Sequence, residues 1–162
     1  TPEIKKKSKG INMVKSEIKD YDESYLLEDC NEIVISIWER IRNHVTSEHF
    51  IDTRFNYTKS YNRFSLNNNS PICYFKFKKR NIRIEINGGT DYRTEKRKGK
   101  HYVELDDPKG LTKRHERLWR TNKDTKYGNQ VFDVKFIIYV NQMEEVDYVL
   151  SLIKQKYDRM IS

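Results

Sequence analysis

The chain has 162 residues, which suits one domain with a sizeable core and leaves little room for two. Hydrophobic residues make up 36% and charged residues 35%, with a formal net charge of +8. No apolar run reaches the ~18 residues of a membrane span and the N-terminus has no signal-peptide core, so the expectation is a folded cytoplasmic protein without a membrane partner. A start at Thr1 in place of Met points to a piece of something longer.

Residues 1–20 are rich in Lys, and their few apolar side chains do not form a buried face, so they are read as a basic linker or disordered tail ahead of a single domain over 21–162. Leu26, Leu27, Cys30, Ile33, Val34, Ile37, Trp38, Ile41 and Val45 then recur at three- and four-residue steps. This period predicts a helix over 22–47 with Asp22 as its cap. The aromatic, basic stretch 50–66 reads as a strand or an irregular approach to one, and Asn67 to Pro71 as a turn.

Alternation of Cys73, Phe75 and Phe77 with Tyr74, Lys76 and Lys78, and of Ile82, Ile84 and Ile86 with Arg83, Glu85 and Asn87, predicts a hairpin turning at 78–81. Gly88 and Gly89 are expected to end it. A mobile loop over 90–100 and a short strand over 102–105 follow. Asp107 before Pro108 has the form of a helix start, with Leu111, His115 and Leu118 facing inward and Trp119 more in the core than on a stacking surface. Phe132, Val134, Phe136, Ile138 and Val140 alternate as a strand over 130–140, and Met143 to Met160 repeat as a helix over 142–161. The fold expected is α+β, an antiparallel sheet of about four to five strands with N- and C-terminal amphipathic helices packed on it.

Cys30 and Cys73 fall on apolar faces, form no CxxC and have no His pair at ligand spacing, so buried free thiols in a reducing compartment are expected, with no metal and no cofactor.

Charge is unevenly placed. Residues 21–50 carry two Lys or Arg against seven Asp or Glu, residues 51–126 twenty against nine, and residues 127–162 four against five. The middle therefore holds +11 and the segments around it −6, which assigns the basic surface to the sheet and its loops. In the hairpin Lys76 should face Arg83, and like charges opposite one another are destabilising. Something acidic must lie near them, either Glu85 or Asp133 or a phosphate. Tyr74 shares that face, and a ring among cations is the composition that stacks bases while neutralising a backbone. In the helix expected after Pro108, Lys113, Arg117 and Arg120 share a face, with Arg114 nearby. A solvated face accounts for these charges equally well.

The stretches NYTKSYNRF at 56–64, YFKFKKRNIRIEI at 74–86, DDPKGL at 106–111, YGN at 127–129 and VDYVLSLIKQKYD at 146–158 resemble an uncharacterised bacterial family, the domain of unknown function numbered 5655 and sometimes labelled a predicted transport protein. The resemblance runs from about residue 26 to the end. It implies a C-terminal module attached to predicted restriction or repair nucleases, and supplies no agreed catalytic residues. The chain departs from the family in lacking a Trp before the YGN glycine and in its basic 90–100 stretch.

Enzyme readings fare poorly. A metal-dependent nuclease needs a Lys two residues beyond a strand acid, and Asn87 occupies that place after Glu85. Asp106 and Asp107 read as an ion-pairing residue and a cap. The four His share no motif, and no nucleophile elbow or Gly-rich phosphate cradle is present. The expected function is a non-enzymatic nucleic-acid-binding accessory domain of a larger nuclease or defence-type protein, resting on Tyr74, Lys76, Arg83, Lys113, Arg117 and Arg120. The alternative is a protein-interaction or regulatory module whose basic surface meets an acidic partner.

Overall fold

Asn31 divides the expected first helix. The computed structural model, which describes residues 21–122 and 129–162, shows α1 (Glu23–Leu27) and α2 (Glu32–Val45) in its place. Asn31 has an extended backbone, its side chain accepts the Val34 N–H at 3.0 Å, and its own N–H donates to the Lys79 carbonyl at 2.9 Å. Asn and Asp offer the backbone such local bonds outside a helix, so a new helix starts here and the old one stops. Asp22 caps α1 as expected, accepting the Tyr25 N–H at 2.9 Å. At the other end of the chain a 3₁₀ turn, Met143–Glu145, leads into α3 (Val146–Ile161). The tail expected at 1–20 lies outside the described residues.

The strands are β1 (Thr53–Tyr57), β2 (Asn62–Leu66), β3 (Pro71–Phe77), β4 (Ile82–Tyr92), β5 (Arg97–Lys98), β6 (Lys113–Asn122) and β7 (Asn129–Val140). They form one antiparallel sheet in the order β1-β2-β3-β4-β7-β6, with β5 paired to β4 off that path. The class is mixed helix and antiparallel sheet as expected, and among the described residues there are more strands than the four to five foreseen.

The additional strand content lies where loops and a helix were expected. Gly88 and Gly89 do not end the hairpin. They form a bulge, seen as a register slip between Asn87 and Gly89, after which β4 continues to Tyr92. Gly89 has φ +101, and a Cβ there would stand 2.9 Å from the Cα of Tyr102. The 90–100 stretch turns through a 3₁₀ segment, Arg93–Glu95, and returns as β5, held by Lys98 at 3.1 Å from Asp91 and by the Arg97 guanidinium 3.8 Å above the Tyr92 ring. Residues 102–105 are not a strand. They run alongside α3 and bond to the sheet through the Val103 N–H and the Gly88 carbonyl at 2.9 Å.

The helix expected after Pro108 is also overturned. Asp107 caps a turn whose Gly110 has φ +62, and β6 begins three residues later. Leu111 and Leu118, the proposed inner face, are 39% and 48% exposed, so no apolar stripe exists to bury a helix there. Pairing along β7 supplies the backbone bonds instead. The side chain of Trp119 lies outside the described residues.

One face of the sheet carries the core. Trp38 of α2 is fully buried, with its ring 4.9 Å from both Phe75 and Phe77 and 5.6 Å from Phe55, and its Nε1–H donates to Glu23 at 2.6 Å. α3 adds Val149, Leu152, Ile153 and Tyr157. Residues 99–112 are strapped to α3 by Gln155, which bonds the N–H and carbonyl of Asp106 at 2.8 Å each, and by the buried Lys156, whose Nζ donates to the His101 carbonyl at 2.6 Å. Cys73 is buried on this face. Cys30 sits half-buried at the break between α1 and α2 and not within a helix, and both are free thiols. Burial raises both thiol pKa values, that of Cys73 strongly, so neither is an activated nucleophile.

Candidate nucleic-acid interface

Among the described residues no helix covers the opposite face, and strand alternation determines what stands on it. Across β3 and β4, Tyr74 lies opposite Glu85 and Lys76 opposite Arg83, the register that the sequence predicts. Arg63 of β2 lies beside Tyr74. β7 adds Tyr139 opposite Arg83, Ile137 opposite Glu85 and Lys135 opposite Asn87. From edge strand β6, Lys113 faces Ile137, His115 faces Lys135 and Arg117 faces Asp133.

The acid required by the Lys76 and Arg83 pair is Glu85. It is only 4% exposed, with one carboxylate oxygen 3.0 Å from Lys76 Nζ and 2.8 Å from Arg83 Nε, and the other 3.3 Å from Lys135 Nζ. Burial pushes its carboxyl pKa up, but Lys76, Lys135 and Arg83 together outweigh that and hold it below the usual carboxylate range. The internal partner foreseen as one option is thus present. It does not neutralise the group, because three cations surround one carboxylate.

Other cations on the face are more loosely held. Arg117 is 67% exposed and meets Asp133 at 3.4 Å, while Arg83 also donates to the Tyr139 hydroxyl at 3.3 Å. Tyr74 is half-buried and packs edge-on against Tyr61, with ring centroids 5.4 Å apart and planes at 80°. Burial is the main reason its phenol pKa is raised, so it stays a neutral ring. A groove of about 750 Å³ runs between these groups, lined by Tyr61, Tyr74, Lys76, Glu85, Asn87, Arg117, Asp133 and Lys135 among others.

Of the residues singled out in the sequence, Tyr74, Lys76 and Arg117 line the groove, and Arg83 and Lys113 share its face. The helical reading that joined Lys113, Arg117 and Arg120 was wrong, yet the strand brings together the same register positions. Lys113 and Arg117 differ by an even number, and a bulge between Leu118 and Arg120 sets Arg120 opposite Val131, back in phase with them. The side chain of Arg120 lies outside the described residues. Arg114 alternates to the other face and is taken up by Glu104 at 2.8 Å and by Glu116 and Tyr102. Lys135, Arg63 and Tyr61 belong with this surface and were not singled out. Alternation of Asp133 and Lys135 against the apolar positions of β7 was the signal that could have found Lys135.

The acidic candidates are committed elsewhere. Burial raises the pKa of Asp107, but bonds from the Tyr148 hydroxyl and from the Thr112 N–H and hydroxyl outweigh it and bring it to about 2. Such a carboxylate is a structural acceptor and a poor base. Among the described residues no group of three or more His, Cys, Asp or Glu could hold a metal ion. No helix of the described residues is long and apolar enough to cross a membrane. No family model, curated protein or solved structure matches the chain.

Proposed function

We propose that the chain is a non-enzymatic nucleic-acid-binding accessory domain that holds backbone phosphates on its uncovered sheet face. One observation carries this reading: Lys76, Arg83 and Lys135 converge on the single carboxylate of Glu85, which leaves an excess of positive charge beside a half-buried tyrosine. Phosphates compensate such an excess, and the released counterions make binding fall steeply with salt. The resemblance to the 5655 family adds a further reading, in which the domain is the C-terminal module of a larger nuclease or defence-type protein and retains nucleic acid for it.

Fluorescence anisotropy with labelled DNA and RNA at low salt tests the proposal. Binding is expected, and Arg117→Gln combined with Lys76→Gln should weaken it at least tenfold while flattening its dependence on salt. Absence of binding to every nucleic acid at low salt would leave the face to an acidic protein partner and end this reading.

A further inference from the structure

We infer that the ligand of the sheet face is single-stranded nucleic acid, with an unstacked base resting on Tyr74 and its flanking phosphates on Lys76, Lys135 and Arg117. The inference rests on the nucleic-acid reading above and narrows it to one strand state. Its basis is the position of the ring relative to the charges. Tyr74 and Tyr61 line the same groove as the three cations, so a half-buried aromatic pair and a row of cationic side chains share one recess.

Duplex DNA offers the wrong surface to such a recess. Its base faces are enclosed in the stack, and reading its major groove takes a protruding helix or β-ribbon. Here the sheet presents a groove of about 750 Å³ and no helix among the described residues stands on that face. A single strand has exposed base faces and a backbone thin enough to lie along the groove, and aromatic platforms in cationic channels bind such strands with little sequence preference.

The charges are also preorganised for a strand passing over the ring. Lys76 and Lys135 reach opposite oxygens of the Glu85 carboxylate, at 3.0 and 3.3 Å, from strands on either side of β4. Their ammonium groups are therefore held in place before any ligand arrives, each with hydrogens left to donate. Arg117, two thirds exposed and paired with Asp133 at 3.4 Å, adds a further cation on the groove wall.

The test compares one oligonucleotide sequence as a single strand and as a blunt duplex, in DNA and in RNA, by anisotropy at low salt. The single strand should bind at least tenfold more tightly. Tyr74→Leu should cost it about tenfold while leaving duplex and heparin binding within twofold, and Tyr74→Phe should retain wild-type affinity. Photo-crosslinking a 5-iodouracil single strand to the unsubstituted protein should place adducts at Tyr74 or Tyr61, a readout that does not depend on any variant folding. Equal or tighter binding of duplex, or crosslinks confined to other surfaces, would overturn the inference and leave nucleic-acid binding standing. No binding of either form would remove both.

Discussion

Glu85 receives Lys76 from β3, Arg83 from its own strand and Lys135 from β7, so one side chain stitches three adjacent strands on the face that has no helical cover. Replacing it leaves three cations crowded together with no acid to separate them. Glu85→Gln should lower unfolding free energy by about 2 kcal/mol in denaturant titration. The same change should tighten nucleic-acid binding several-fold, because the face gains one unit of positive charge. Opposite signs for stability and affinity are the signature to look for. Because the folded carboxyl pKa is depressed, its stabilisation is fully present above the unfolded value and is lost as pH falls through the folded one.

Lys156 poses the converse problem. It is 1% exposed and bonded to a backbone carbonyl, with no carboxylate partner among the described residues, and burial lowers its pKa to about 8. The unfolded chain keeps that proton until about 10.5, so between these values the unfolded state binds more protons and stability rises with pH. Lys156→Met should raise the melting temperature at pH 7, and differential scanning calorimetry from pH 7 to 10 should show the gain shrinking as pH increases.

At the scale of elements, two small residues redirect the chain. Asn31 stops one helix and starts the next because its side chain reaches the Val34 N–H, a local bond that outcompetes the apolar period running through it. Gly89 lets β4 bulge and continue, with residues 99–103 passing close behind it. A Cβ at Gly89 would have to adopt a left-handed backbone and also press on the Tyr102 backbone. Gly89→Ala is therefore expected to cost about 2 kcal/mol in urea unfolding. Gly110→Ala, also at positive φ but with open space around it, should cost only about 1 kcal/mol.

The alternating charges of β6 show why an element can be misread while its chemistry is found. Leu111, His115 and Leu118 fit a helical step by accident of spacing, whereas Lys113 and Arg117 share a face in either conformation. Choosing between them required β7, whose unpaired backbone groups offer β6 a ladder, and no local propensity reports on such a partner.

For the whole molecule, the segregation of charge seen along the chain becomes a segregation in space. The segment 21–50, which forms α1 and α2, carries seven Asp or Glu against two Lys or Arg, and the sheet turns a cation-rich face away from α2. Long-range steering of a polyanion toward that face should make association faster at low ionic strength. Stopped-flow mixing with a labelled oligonucleotide should show an association rate that falls at least tenfold from 20 to 200 mM salt, with a much smaller change in the rate of dissociation.

Helices α2 and α3, the hairpin at 73–86 with its register and the last strand follow from periodicity, because each buries its own apolar stripe and that stripe is written in consecutive residues, whereas the break at Asn31 that sets α1 apart does not. Periodicity also places the excess charge between the helices. Tertiary structure alone decided that β4 runs past Gly89, that 113–122 pairs as a strand, and that Lys135 joins Lys76 and Arg83 at Glu85. Each of those outcomes depends on a backbone ladder or an ion pair between residues far apart in the chain, and the free energy of such a contact is absent from any local window.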